Sequence, residues 1–344
     1  MTTLSEPSLF DEPLPSLDSS SPNDESNLKA HLRRHERMPS VETMASTASV
    51  SSPSSHFEDE SFKDEALMTV DVFPYNTSLE DLRGLGYTKV KKIHWIRHAQ
   101  GYHNVGDAKS RDNIDARLTP TGIEQCRTLA AAIKNAPEGS PLHDVLNTTE
   151  LIVTSPVTRC IQTALHSLQP LIEAKPGVPI VANDSIRETV NFNCDRRRPI
   201  HEIAQDFPQV DFTQACPFDE DNIWEYYVQM LGDDTEYTED RESAEIHTIA
   251  DRCRQFFVDW LQNRPEENIA VCCHATVSRC IFNFGMKAGK TPTDVKQVLD
   301  NRDPDEHDED EPVVNFGHHA GLEKYMREDF KNCELRSMII AYKN

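Results

Sequence analysis

Apolar and polar residues follow two rhythms along this chain, and both begin late. Through the first 65 residues large apolar side chains are sparse. Ser, Pro, Asp and Glu dominate stretches such as SLDSSSPNDES and STASVSSPSSHFEDES. A segment of that kind cannot bury enough apolar area to offset its ordering entropy, so residues 1–65 are expected to form a disordered tail and 66–344 a folded domain. From there strands and helices alternate. VKKIHWI (90–96) reads as a strand. LTPTGIEQCRTLAAAIKNA (118–136) places Ile123, Cys126, Leu129, Ala130 and Ile133 on one helical face. Its start is ambiguous by two residues: Thr119-Pro120 makes an N-cap and first-turn signal, and Thr121 with Glu124 has capping-box spacing. LIVTS (151–155) is a short buried-type strand followed by a helix over 156–172, and VPIVA (178–182) is another strand. A strongly amphipathic helix spans 244–263, NIAVCCH (268–274) is a strand with a helix after it, and LRSMIIAYK (335–343) is the last strand. The stretch of about 195–240 lacks strand runs and reads as a helical and loop lid insertion. The run NRDPDEHDEDEP (301–312) reads as an exposed acidic loop. Alternating strands and helices imply an α/β three-layer sandwich, a central mostly parallel sheet flanked by helices.

Charge narrows the function. With 35 Lys and Arg against 58 Asp and Glu, the formal net charge is −23. That argues against a nucleic-acid partner, which calls for a basic face, and against docking on anionic membranes. It leaves room for a small anionic substrate held by a few arginines in a cleft. The nine cysteines include no CxxC pair, so the closely spaced ligand pairs of a zinc site are missing. His318-His319 reads as part of a solvated loop. Cysteines in apolar runs (Cys126, Cys160, Cys253, Cys280) suggest reduced core thiols. With no run of 18 apolar residues and no signal-peptide pattern, the expectation is a cytoplasmic protein, or one shared with the nucleus. In the tail, Arg37 stands three residues before Ser40, a spacing basophilic kinases favour. A phosphate there could create a docking site for a phosphoserine reader, although a solvated tail is the simpler reading.

Open α/β sheets bind ligands at the carboxyl ends of their strands. The predicted strands deliver Arg97-His98, then Ser155 with Arg159 one turn into a helix, then Arg187-Glu188, then His274. This set suits phosphoryl chemistry. Arginine forks neutralise the equatorial oxygens, an imidazole attacks phosphorus, and a carboxylic acid protonates the leaving alkoxide. Neighbouring arginines favour a neutral, nucleophilic imidazole. Any one of these residues alone carries little weight; their coincidence on strand ends is the signal. No cofactor or metal is required, because the arginines supply the positive charge.

IRHAQGYHN resembles the Arg-His signature of the histidine phosphatase superfamily, the phosphoglycerate mutase-like enzymes. DARLTPTGIEQC is similar to that family's Leu-Thr…Gly…Gln segment and TSPVTRCIQTA to its Ser-x-x-x-Arg-x-x-Gln-Thr-Ala motif. RETV fits the acid glutamate and CCHATVSR the second histidine, in the family's order, over about residues 88–290. The resemblance implies that His98 is phosphorylated, that Arg97, Arg159, His274 and Asn104 bind the phosphate, and that Glu188 is the general acid and then the base. Ala99 and Ala275 stand where glycine is usual. Both keep a backbone N–H for phosphate contact, but each adds a methyl group. His103 replaces the tryptophan common before the asparagine in true mutases. The form RHAQGYHNV, with NFNCDRRRP after the glutamate, looks closest to the fungal and plant phosphoglycerate mutase-like phosphatases. The expected function is therefore a metal-independent phosphomonoesterase acting on small-molecule phosphate esters. The alternatives are a phosphoglycerate-type mutase and a catalytically silent interaction protein. If Arg196, Arg197 and Arg198 face the cleft they would favour polyanionic substrates; otherwise they form a solvated basic turn.

Overall fold

The computed structural model describes residues 70–106, 108–233, 235–242, 246–283 and 312–343. The expected tail with Ser40, and residues 301–311 of the acidic run, lie outside them. Seven strands form one sheet: β1 (Val70–Pro74), β2 (Lys89–Arg97), β3 (Leu151–Thr154), β4 (Ile180–Ala182), β5 (Asn268–Cys273), β6 (Val314–Asn315) and β7 (Leu335–Tyr342). Their order is β4-β3-β5-β2-β7-β1-β6. All neighbours pair in parallel except β7, which runs antiparallel to β2 and β1. This is the expected α/β sheet with helices on both faces.

Side-chain alternation divides two cores across the sheet. Trp95, Val153, Val271 and Cys273 point to one face, where Phe256, Phe257, Ile281 and Phe282 cover them. Ile96, Ile152, Ala270 and Cys272 point to the other, under Ile133, Ile161, Ala164 and Leu171. Every residue of β3 is buried, which is why it reads as an unbroken apolar run.

The helices are α1 (Leu79–Gly84), α2 (Pro120–Lys134), α3 (Pro141–Asn147), α4 (Thr158–Ser167), α5 (Gln169–Ala174), α6 (Ile200–Asp206), α7 (Asn222–Leu231), α8 (Ile246–Arg254), α9 (Ala275–Asn283) and α10 (Ala320–Arg327). The start of α2 is settled in favour of Thr119, whose Oγ1 accepts the Gly122 N–H. Gly122 is required there, because a Cβ would stand 2.1 Å from the Gln100 carbonyl oxygen. Two expectations need correction. The single helix over 156–172 is two helices, broken at Leu168 because Pro170 lacks the N–H that a continuous helix would use. The helix over 244–263 does not stay α-helical: after Arg254 it widens into a π turn over Gln255–Trp260 and tightens into a 3-10 turn over Leu261–Asn263. The widened turn keeps Phe256, Phe257 and Leu261 buried together. Among the described residues no helix is long and apolar enough to cross a membrane.

The stretch 195–240 carries α6 and α7 and is fastened to the sheet edge. Ala182 donates to the Asp211 carbonyl at 2.9 Å, and Asp211 donates to that of Ile180 at 2.8 Å. Arg197 corrects the idea of a solvated basic turn. It is 1% exposed and donates to both Asp184 carboxylate oxygens and to the carbonyls of Phe218, Asp219 and Glu220. Arg198 pairs with Asp115 and Asp206, and Arg196 lies over the Trp224 ring near Glu225.

Candidate active site

The carboxyl ends of three adjacent strands, β3, β5 and β2, build the site. His98 leaves β2 with its backbone N–H bonded to the Cys273 carbonyl at 2.8 Å, so the two histidine-bearing strand ends are stitched together. His98 and His274 are both buried, their ring centroids 5.1 Å apart. One donor atom from each of His98, Glu188 and His274 lies within 4.8 Å of the other two. Residues 98, 188 and 274 thus meet as expected. That spacing could also hold a metal ion, but the guanidiniums of Arg97 and Arg159 make the surroundings better suited to an anion.

Hydrogen bonds set the chemical state of each group. His98 Nδ1 lies 2.7 Å from the Ala99 carbonyl oxygen. A carbonyl only accepts, so Nδ1 carries the proton and Nε2 keeps the lone pair. Burial, then the nearby Arg159 and Arg97, hold the His98 ring well below its ordinary pKa. His274 is depressed in the same way by burial, Arg159 and His98. Its Nε2 sits 2.8 Å from the Oγ of Ser155, the residue directly after β3. Glu188 lies against the first turn of α9, accepting from the N–H groups of Thr189, Thr276 and Val277. Burial, then the Asp195 carboxylate, still push its pKa above the usual range.

The arginines are anchored from behind. Arg159, fully buried at the start of α4, donates Nη1 to the Cys194 carbonyl at 2.6 Å and pairs through Nη2 with Asp195 at 3.3 Å. Arg97 donates Nη1 to the Phe330 carbonyl at 2.5 Å. Asn104 is exposed, and its Oδ1 accepts the Gly101 N–H at 3.0 Å, closing the 3-10 turn Tyr102–Asn104. The idea that the Ala99 N–H contacts phosphate is corrected: it donates to Thr163 Oγ1 at 3.0 Å, and Ala99 packs with Leu118, Cys126 and Cys333.

Several contributors were not assigned these parts from sequence, although Arg187 and His103 stood out there for other reasons. Asp195 lies beside Arg159 and raises Glu188. Arg187, fully buried, makes a two-pronged pair with Asp221, both contacts 2.6 Å, and its backbone leads directly into Glu188. Asp115 caps α4 from a distant loop. His103 brings a third imidazole, its ring centroid 5.3 Å from that of His98. Charge next to a motif was the only signal for the first three, and it does not separate a clamp from a solvated acid.

The model for the histidine phosphatase superfamily (branch 1) matches residues 93–293. The chain belongs to this superfamily. A phosphoglycerate mutase-like protein of Arabidopsis thaliana is 29% identical over 283 residues, covering 74% of this chain and 85% of that protein. Phosphoglycerate mutase-like protein 1 of the same plant is 29% identical over 284 residues, covering 74% and 82%. Among solved structures, the ecdysone phosphate phosphatase from Bombix mori in complex with tungstate is 15% identical, covering 72% of this chain and 88% of that one, with a TM-score of 0.39. Membership of the superfamily gives the converging histidines, arginines and glutamate a common context.

Proposed function

We propose that this histidine phosphatase superfamily member is a metal-independent phosphomonoesterase that hydrolyses small-molecule phosphate esters through a phosphohistidine at His98. The observation that carries the reading is the His98 ring itself: neutral, its Nδ1 proton tied to the Ala99 carbonyl so that Nε2 keeps its lone pair, clustered with Glu188 and His274 in the field of Arg159 and Arg97. In the first half-reaction Nε2 attacks phosphorus in line, forming the N–P bond as the ester P–O bond breaks. Glu188 gives its proton to the departing alkoxide. Arg97, Arg159 and His274 bind the equatorial oxygens as charge develops on them. In the second half-reaction Glu188, now a carboxylate, takes a proton from water. The hydroxide formed displaces His98 from phosphorus and releases inorganic phosphate.

The test is phosphate release from an aryl phosphate, 3-phosphoglycerate, sugar phosphates and inositol phosphates, with and without EDTA. The expected result is release that survives EDTA and disappears in His98→Ala. No release from any ester would overturn the hydrolase reading, and loss of release in EDTA would overturn its metal independence.

A further inference from the structure

We propose that His103 is a further substrate-contacting residue of this site, donating a hydrogen bond from Nε2–H to an oxygen of the phosphoryl group bound beside His98. The inference rests on the reading of His98 as the phosphate-accepting residue.

The argument begins at Gly101. This residue is buried, and a Cβ on it would stand 2.6 Å from Nδ1 and 2.8 Å from Cε1 of His103. The imidazole therefore occupies the space where residue 101 would carry its side chain, and only glycine admits it. The turn is closed around the ring by the Gly101 N–H bond to Asn104 and by the Tyr102 N–H bond to the Arg117 carbonyl at 3.0 Å. The result is a ring held 5.3 Å from His98, centroid to centroid.

The ring's own hydrogen bonding then decides its tautomer. Nδ1 is buried against Gly101 and has no hydrogen-bond partner. Orphaned buried N–H groups are rarer in folded proteins than under-satisfied buried acceptors, which favours leaving the lone pair, not the proton, on this nitrogen. The proton therefore resides on Nε2. Burial, then the guanidiniums of Arg159, Arg97 and Arg111, push the ring's pKa down to about 2, so it stays neutral at any working pH. A neutral imidazole inside a field of three guanidiniums adds a directed donor to an anion site without adding a charge. The two strongest of those guanidiniums are the same pair that flanks His98, which places the ring in the phosphate's own field. An aromatic ring without a donor could fill the same space but not make this bond.

The test compares wild type with His103→Phe, which keeps the ring and loses the donor, and His103→Gln, which keeps an N–H donor. Binding of inorganic phosphate is measured directly by calorimetry, and competitive inhibition by phosphate during hydrolysis of an aryl phosphate gives a second value. His103→Phe is expected to weaken phosphate binding about tenfold or more and to raise KM in step, as loss of one bond to a charged group would. His103→Gln should recover part of that loss, with thermal unfolding of both variants close to wild type. In the wild-type protein labelled with 15N-histidine, the His103 Nε2 signal should be protonated and should shift when phosphate is added. Unchanged phosphate affinity in His103→Phe, or a proton found on Nδ1, overturns the proposal. If either variant fails to fold, the wild-type nitrogen signals decide alone. Wild type that binds phosphate but hydrolyses no ester sinks the hydrolase reading and leaves this contact to be judged by the same comparison. Wild type that binds no phosphate sinks both.

Discussion

In the proposed reaction His98 attacks only as a neutral ring, and Glu188 assists only as a neutral acid. The site pushes both groups toward those forms from opposite directions. Burial with Arg159 and Arg97 lowers the imidazole, while burial with Asp195 raises the carboxyl group. The His98 requirement is met above its depressed pKa, so the ascending limb of kcat/KM should lie well below pH 6.5. The Glu188 requirement is met below its raised pKa, so the descending limb should lie above the usual carboxylate range. Once substrate ionisation is corrected for, a bell displaced to the acid side is expected. Asp195→Asn removes a cause that raises Glu188 and should move the descending limb to lower pH; a limb that stays put would show that Asp195 acts on Arg159 alone. Glu188→Gln should lower kcat by roughly 10²–10⁴, with the larger loss for alkyl than for aryl phosphates, because poor leaving groups need the proton most. Arg97, His98 and His274 were readable in the sequence because each ends or directly follows an apolar strand run, and Arg159 because it lies in the first turn of the helix that follows β3. Asp195 was not, and His103 showed there only as a replacement for the tryptophan usual in mutases. Their roles come from what the fold sets beside them: the Arg159 guanidinium in one case, the empty side-chain position of Gly101 in the other.

At the scale of elements, α4 carries Arg159 as its second residue, so whatever fixes the start of that helix fixes the guanidinium. Its own N-cap residue, Val157, has no side chain that can cap it. Asp115 does so from a remote loop: Oδ1 accepts the Thr158 N–H at 2.7 Å and Oδ2 accepts the Thr158 hydroxyl at 2.5 Å. Arg198 Nε donates to the same Oδ2 at 3.0 Å. Asp115 holds a left-handed φ of 49°, which aspartate and asparagine tolerate better than other non-glycine residues. Asp115→Ala should cost about 1–3 kcal/mol in urea unfolding and lower kcat as the first turn of α4 loosens. Asp115→Asn keeps an oxygen for the Thr158 N–H and should lose less on both measures; equal losses would show that the buried charge, not the cap, is what matters. The longer elements were readable from periodicity alone. The shorter ones were not. Strand β1 has five residues and gains its identity by pairing with β7, while α3 buries only Val145 and is defined by Ser140, whose Oγ accepts the His143 N–H. Neither offers a repeat long enough to read before its partner is in place.

Across the whole molecule, the stretch 195–240 is pinned by buried charge. Arg187 and Arg197 are both fully buried, and they meet at Asp221: Arg187 grips its carboxylate with two nitrogens, and the Arg197 backbone N–H donates to Oδ2 at 2.9 Å. Asp221 in turn caps α7, accepting the Trp224 N–H at 3.0 Å. The Arg187 Nη2 also donates to the Asp195 carbonyl, so one cluster links the loop after β4 that bears Glu188, the turn that bears Asp195 and the first turn of α7. The triplet Arg196-Arg197-Arg198 showed in the sequence as concentrated positive charge. Its use could not be read there, because the acceptors come from 115, 184, 206 and 218–220. A stretch fastened in this way should behave as part of the core, not as a swinging lid. Backbone amides of α6 and α7 should therefore exchange with solvent as slowly as those of β3 and β5. Arg197→Met leaves the Asp184 carboxylate with only its 3.9 Å contact to Arg187 and strands three carbonyl groups, and loss of a buried charged partner costs roughly 3–5 kcal/mol. In that variant α6 and α7 should exchange faster than the sheet, and kcat/KM should fall as the loosened cluster lets Arg187, which holds the Asp195 carbonyl and leads into Glu188, shift. Rapid exchange of α6 and α7 in the wild-type protein would show instead that the segment opens independently, and that the buried arginines hold only its closed form.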